Sequence, residues 1–381
     1  MSAGEVSVRV HGAISDIGRE AWDACAAPFG NPFVSYDFLW ACEESGCVAP
    51  RQGWAPRHLS VEDDAGRVTG VMPLYLKGHS QGEYVFDFAW AEAFERAGGA
   101  YYPKLLSAVP FTPVTGPRLL SADAGVRDAL LSAAVAFTGQ LGASSLHVNF
   151  PVEAEWKAMT GAGLLARQDV QYWWENADYA DFEGFLAALS SSRRKTIRRE
   201  RREAQDGVGI VTLTGPDITE DHWDAFFAFY MDTGERKWGR PYLNRLFFSL
   251  IGERMADRIA LVMAQRNGRW IAGALNFIGG DTLYGRQWGA IEHRPFLHFE
   301  LCYYQAIDFA IARGLKTVEA GAQGQHKLAR GYLPRPVYSA HWIEDPRLRA
   351  AVAEYLERER PAVELEMEAM EAELSPFRTA G

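Results

Sequence analysis

Cysteine is scarce: Cys25, Cys42, Cys47 and Cys302 are the only four in 381 residues. They are too few and too scattered for a disulfide scaffold or a paired Cys-x-x-Cys metal site, so they read as core thiols in a reducing compartment. Long apolar runs are missing too. The longest, such as 260–264 and 271–278, fall far short of the roughly 18 residues a membrane-spanning helix needs, and no basic flank with an apolar run opens the chain. These absences predict a soluble, cytoplasmic protein without a transmembrane segment, leaving peripheral membrane contact open. Positive charge is also in short supply. With 39 basic and 49 acidic residues the net charge is −10, which excludes a surface built throughout for nucleic acid, so any polyanion must meet a local cluster. No P-loop, Rossmann fingerprint, hydrolase elbow or zinc pattern is present. Apolar residues are abundant at 48%, enough for sizeable cores over a length of about two domains. Aromatics reach 13%, and although core filling accounts for most of them, short aromatic runs beside Gly, Pro and Lys read as walls of a pocket or groove.

Two segments repeat one order of signals. The first reads as a strand at 58–62, a turn around Gly66, and strands at 68–76 and 83–90. The second reads as strands at 258–264, 270–278 and 282–288, separated by turns at Gly268 and Gly279-Gly280. Each meander leads into an amphipathic helix, a glycine stop and a further strand. In the first half Val126, Leu130, Ala134, Phe137 and Leu141 mark the helix face, Gly142 ends it and 145–150 is the strand. In the second, Pro295 opens a helix with the stripe Leu297, Leu301, Tyr304, Ile307 and Ile311, Gly314 ends it and 317–320 follows.

This order resembles the core of the GNAT acyltransferases, and its doubling resembles the tandem cores of Fem-type peptidyltransferases. The strings Asn31-Pro32-Phe33-Val34-Ser35, Lys77-Gly78-His79-Ser80, Glu83-Tyr84-Val85-Phe86-Asp87, Tyr101-Tyr102-Pro103-Lys104, Pro110-Phe111-Thr112-Pro113, Leu297-His298-Phe299-Glu300 and Gly321 to Lys327 are similar to the FemAB-like family of predicted bacterial N-acyltransferases. The resemblance implies an α+β fold of two GNAT-like cores: residues 1–165 with an acceptor groove, 166–345 with the donor and catalytic region, and 346–381 as a helical acidic tail. It also implies an acyl-CoA co-substrate and no permanently bound cofactor. One departure stands out. The (Gln/Arg)-x-x-Gly-x-(Gly/Ala) loop that wraps a pyrophosphate in ordinary GNAT enzymes is absent, with Arg286-Gln287-Trp288-Gly289-Ala290 a near miss.

Seven of the ten residues from 193 to 202 are basic, on a short helix between Ser190–Ser192 and Gly207. Its basic side chains cover most of the circumference and leave Ile197, Glu200 and Ala204 on the remaining stripe. The cluster reads either as a solvated helix paired with carboxylates or as a polyanion contact through Arg194, Lys195 and Arg198. By resemblance, this stretch serves the acyl carrier, whether coenzyme A or tRNA. Amide-forming acyl transfer needs a group that accepts the amine proton. His298 and Glu300 in the first turn of the second-half helix, and Glu319 on the next strand, are the catalytic candidates, with a helix-start contact as the alternative for the first two. The segment from Gly321 to Tyr332 offers Gln323, His326, Lys327 and Arg330 as donor-binding groups, against a structural loop. From the turn glycine to the glycine after the helix, the first half spans 76 residues and the second 46. The excess of 30 is rich in aromatics and proline and carries Lys77, His79, Glu83, Asp87, Tyr101, Tyr102 and Lys104, which read as an acceptor pocket or a packing insert. His147 reads as a lone structural histidine. The C-terminal stretch 347–374 is helical in pattern but broken at Pro361, and reads as docking onto the body or a dimer contact.

The function these features predict is N-acyl transfer from an activated donor to a primary amine, including a lipid amine or a cell-wall precursor. An aminoacyl-tRNA-dependent peptidyltransferase is the first alternative, although the chain lacks the long helical arm of some Fem-type enzymes. A non-catalytic ligand-binding module and a structural interaction protein are the others.

Overall fold

A computed structural model describes residues 7–237, 241–321 and 324–378. The chain forms two compact units and crosses between them at 169/170, 335/336 and 364/365. The strands are β1 (Ser7–His11), β2 (Trp54–Pro56), β3 (His58–Glu62), β4 (Val68–Met72), β5 (Tyr75–Lys77), β6 (Lys104–Ser107), β7 (Ser145–Asn149), β8 (Leu165–Glu175), β9 (Gly209–Thr214), β10 (Ile259–Arg266), β11 (Arg269–Gly279), β12 (Thr282–Ala290), β13 (Thr317–Glu319) and β14 (Leu333–Ile343).

In the first unit β2, β5, β6, β7 and β14 lie side by side. β5 is antiparallel to β2 and to β6, β6 is parallel to β7, and β14 is antiparallel to β7. A smaller sheet, β1-β3-β4, continues the same hairpin beyond a break at Arg57 and Pro73-Leu74, where Arg57 N donates to Leu74 O. One sheet face carries Leu105, Leu146 and Val148 and packs on Leu130, Leu131 and Ala134 of the helix Ala124–Gln140. Asp123 caps that helix by accepting from Val126 N, and Gly142 ends it at φ +63°. The other face is polar and is covered by residues 78–103.

In the second unit the order is β9, β10, β11, β12, β13, β8. β12 is antiparallel to β11 and parallel to β13, and β13 is antiparallel to β8. Neighbour senses therefore match the first unit with β10, β11, β12, β13 and β8 in place of β2, β5, β6, β7 and β14. The internal repeat is real, with one correction: residues 83–90 are not its third strand. They form a loop running into the helix Phe88–Arg96, and β6 takes the third place. Most of the expected insertion thus sits between the second and third strands, where residues 78–103 stand against 280–281 in the second unit. Gly289 is required where it stands, because a Cβ there would come within 2.3 Å of the Phe229 backbone in the helix Glu220–Lys237.

The crossing at 335/336, instead of the expected 345/346, follows from β14, which pairs through 339–343 with β7. The expected separate tail is shared. Leu348, Val352 and Leu356 pack with Trp90, Tyr101 and Ile343 in the first unit, while Met370 and Phe377 join the core of the second. Helix Pro346–Leu374 runs on through Pro361 rather than breaking there. Among the described residues no helix is long and apolar enough to cross a membrane, and no group of three or more His, Cys, Asp or Glu is arranged to hold a metal ion.

Candidate functional site

The polar sheet face of the first unit gathers most of the residues expected for the acceptor. Lys77 and Lys104 are partners across β5 and β6, so both point to this face. Lys77, Glu83, Asp87, Tyr101 and Lys104 are all buried. Lys104 Nζ donates to Ser80 Oγ at 2.7 Å, to Glu83 Oε2 at 2.8 Å and to Asp87 Oδ2. Tyr101 OH donates to Asp87 Oδ2 at 2.7 Å and lies 3.3 Å from His147 Nε2. His147 Nδ1 sits 2.6 Å from His341 Nδ1, and His341 Nε2 sits 2.9 Å from Ser339 Oγ. His147 is therefore one end of a buried histidine pair and not a lone strand histidine.

The electrostatics follow from burial and from the ion pairs. Burial alone would raise the Asp87 carboxyl, yet Lys104 holds it well below the ordinary carboxylate range. Burial raises Glu83 against the pull of Lys104, and Lys104 stays above its ordinary value because the two carboxylates outweigh its own burial. Burial lowers Lys77 to about 7, with Glu83 opposing, and its Nζ lies 3.6 Å from the centre of the Trp54 ring. Burial, then Lys104, brings His147 down to about 3. Tyr102 and His79 are only half-buried: Tyr102 OH bonds Ser80 Oγ at 2.9 Å, and the His79 ring sits 2.9 Å from Gln52 O. The candidates for an acceptor pocket or a packing insert, His79 apart, thus form one buried network under the insert.

The second unit places the basic helix at Ser191–Gln205, with Ile197, Glu200 and Ala204 inward as the sequence pattern requires. Glu200 accepts from Arg330 Nη2 at 2.8 Å and from Tyr304 OH. Arg201 turns inward as well. Its guanidinium reaches both oxygens of Glu300, at 3.1 and 3.2 Å, and Asp308 at 2.6 Å. Gln205 and Gln305 donate to Glu300 at 2.8 and 2.7 Å. Glu300 is therefore not the free base expected of a catalytic residue: it is buried and saturated, and anchors the basic helix. A π-helical turn, Glu300–Tyr304, interrupts the helical run from 297 to 312 at this point. Glu319 is committed to Arg286, whose Nη2 donates at 2.8 Å. Arg330, expected to bind a donor, is held by Glu200, and Lys327 donates to Ala320 O and Gly321 O at 2.7 and 2.9 Å. Burial brings Lys327 down to about 7. Arg198 pairs with Glu183, Arg194 is half-buried and Lys195 is exposed. Gln323 lies outside the described residues.

β12 and β13 pair only from 282/317 to 284/319, after which β13 ends and β12 runs on to Ala290. At the end of this stretch, which keeps β11 as its partner on the other side, lies a cavity of about 360 Å³ lined by Thr233, Trp288, Ala290 and residues 292–299, including His298. His298 stacks at a tilt on Trp288, with centroids 5.0 Å apart, and its ring centre is 6.1 Å from that of His326. His326 Nε2 lies 3.0 Å from Tyr303 OH. Two histidines assigned to different roles by sequence thus meet. A second cavity of about 540 Å³ is lined by Phe182, Glu183, Leu186, Arg198, Arg201, Arg202 and 205–207. The sequence reading missed Ser80, Asn149, Ser339 and His341. Polar residues at every second position of β7, and at Ser339 and His341 of β14, were the signal available.

Each unit joins a strand meander to a parallel strand pair through a helix, which makes the fold a tandem GNAT-like α+β fold. The chain belongs to the FemAB-like family, described as peptidoglycan biosynthesis/recognition, whose family model matches residues 13–379. Solved structures of similar fold include FemX, at 13% identity and a TM-score of 0.55 over 92% of this chain and 100% of that one. Another is the C-terminal domain of a putative lysylphosphatidylglycerol synthetase from Agrobacterium fabrum, at 11% identity and 0.55 over 89% and 95%. L-PGS from Bacillus licheniformis matches at 10% identity and 0.53 over 88% and 96%. At such identities the likeness is one of fold. No curated protein matches the chain in sequence. Family and fold together support an enzyme that transfers an acyl or aminoacyl group.

Proposed function

We propose that this protein is an N-acyltransferase that moves an acyl group from acyl-CoA to a primary amine, with the thioester held beside the end of β12 that runs on past β13. The observation that carries the reading is the cavity of about 360 Å³ at that strand end, with His298 in its wall. In the reaction the amine nitrogen forms a C–N bond to the thioester carbonyl and the C–S bond breaks. His298 accepts the proton lost by the amine, and the departing thiolate takes up a proton to leave as coenzyme A thiol. Of the three catalytic candidates only His298 lines this cavity, and Glu300 and Glu319 are bound to arginines.

The test is to incubate the purified protein with acetyl-, octanoyl- and palmitoyl-CoA and a panel of primary amines, following amide and free thiol by mass spectrometry. His298→Ala is expected to lower turnover by roughly 10²–10⁴ while the melting temperature and acyl-CoA affinity stay at parental values. Parental turnover in that variant would remove His298 from the reaction.

The exposed cations Lys195, Arg199 and Arg202 on one helix favour a second reading, with aminoacyl-tRNA as donor. The same assay with charged tRNA separates the two: amide formed from charged tRNA and from no coenzyme A ester selects the second.

A further inference from the structure

We infer that the polar sheet face of the first unit is a binding site for a primary ammonium group, with Glu83, Asp87 and Asn149 as its acceptors. The inference deepens the proposed function by giving the amine a place in the first unit, and rests on that reading only in taking this amine to be the one acylated.

The pleat fixes which residues share the face. Cross-strand partners Tyr75 and Leu106, Lys77 and Lys104, Leu106 and His147, His147 and His341, and Asn149 and Ser339 all point the same way. Apart from Tyr75 and Leu106 these are polar or ionisable, and every one is buried. A sheet face that only had to pack would be apolar, because burying two ammonium groups and two carboxylates costs more than their pairing returns.

The hydrogen-bond inventory shows what the face lacks. The three protons of Lys104 go to Ser80, Glu83 Oε2 and Asp87 Oδ2. Glu83 Oε1, Asp87 Oδ1 and Asn149 Oδ1 have no hydrogen-bond partner, although each residue is at most 2% exposed; Lys77 Nζ faces Glu83 Oε1 from 3.7 Å, beyond hydrogen-bond reach. The Asn149 amide lies 3.5 Å from Glu83 O, which ties it to the same insert. These three atoms only accept, so they fit a group carrying several N–H bonds and repel an anion, while Tyr75 OH, on the same face and likewise without a hydrogen-bond partner, can give or take a bond. An –NH₃⁺ group supplies three such bonds.

Backbone strain converges here as well. Of the non-glycine residues at positive φ, Tyr84 (62°) follows Glu83 and Phe150 (55°) follows Asn149. Phe111 (60°) donates its N–H to Gly82 O. Burial also drives Lys77 toward neutrality, which lowers the repulsion an arriving ammonium would meet. On either side of Asp87 the insert turns Phe86 and Phe88 outward. They are 54% and 49% exposed, with ring centres 6.3 Å apart, a surface suited to the alkyl part of an amine. The ligand class is therefore an amine on an apolar chain.

Hexylamine is the probe, with hexyltrimethylammonium and hexanol as controls, titrated into the full chain by calorimetry and thermal shift in the absence of any acyl donor. Saturable binding of hexylamine, with neither control binding, is expected. Glu83→Gln and Asn149→Leu should each weaken it by about tenfold or more, since a charge-assisted bond to a buried group is lost. Equal binding of hexylamine and hexyltrimethylammonium, or no saturable binding, would overturn the site and leave structural water as the partner of these atoms. Should the variants not fold, the comparison of the two cations on the parent protein still decides. Amine binding without amide formation would remove the proposed transfer and keep this site. Amide formation without Glu83-dependent amine binding would do the reverse.

Discussion

Replacing Lys104 by Met is expected to destabilise the protein by about 3–5 kcal/mol, because it strips the shared partner from two buried carboxylates and leaves them uncompensated. Urea unfolding measures this. Lys77→Met should cost far less, since burial already penalises the Lys77 charge and its closest carboxylate oxygen is 3.7 Å away. The sign with pH follows from the same burial. Lys77 and Lys327 titrate near 7 when folded and near 10.5 when unfolded, so between those values the unfolded chain holds the extra proton. Their penalty is full below about pH 7 and fades as pH rises toward 10.5, so these groups make stability climb across that window. Lys327→Met should flatten the climb, as unfolding titrations from pH 7 to 10 would show. The sequence marked both lysines, both carboxylates and Tyr101 because they cluster in the insert. It could not mark His341 as their neighbour, since 194 positions separate it from His147 and only the β7–β14 pairing brings them together. Nor could residue types say that Glu300 would be spent on Arg201, a matter of which way one helical turn faces.

At the scale of elements, long periodic segments were legible and short aromatic ones were not. The helix Ala124–Gln140 and β10 to β12 fall where alternation and helical spacing put them. The run 83–90 carries β-favouring aromatics, but Glu83 and Asp87 are drawn to Lys104, and the Ala-rich sequence from Phe88 onward prefers a helix. The π-helical turn had no signal, since spacing rules assume a regular helix. Gly289→Ala should destabilise by about 1–3 kcal/mol through overpacking against Phe229, whereas Gly161→Ala, which meets nothing within 4 Å, should be neutral or slightly stabilising. Parallel melting curves check the pair. On the basic helix, a triple change of Lys195, Arg199 and Arg202 to Ala should leave the melting temperature in place and reduce the salt dependence of polyanion binding. Loss of folding with unchanged binding would make these side chains structural.

At the scale of the molecule, the sheet of the first unit is completed by β14, which is encoded after almost all of the second unit. Ending the chain at 335 should therefore leave β7 without its antiparallel neighbour and the insert without the helix residues Leu348, Val352 and Leu356. Such a protein is expected to be insoluble, or to expose apolar surface that binds a reporter dye. The same connection bears on synthesis. On a ribosome most domains close as soon as their last residue clears the exit tunnel, N-terminal first. Here the first-made unit has to wait, its β7 edge open and its lysines and carboxylates wet, while more than 160 further residues are added and β14 emerges. The unit begun first thus waits for almost all of the second, whose own closing segment, 365–381, follows later still, and the nascent chain needs protection over that interval that a simple two-domain protein does not.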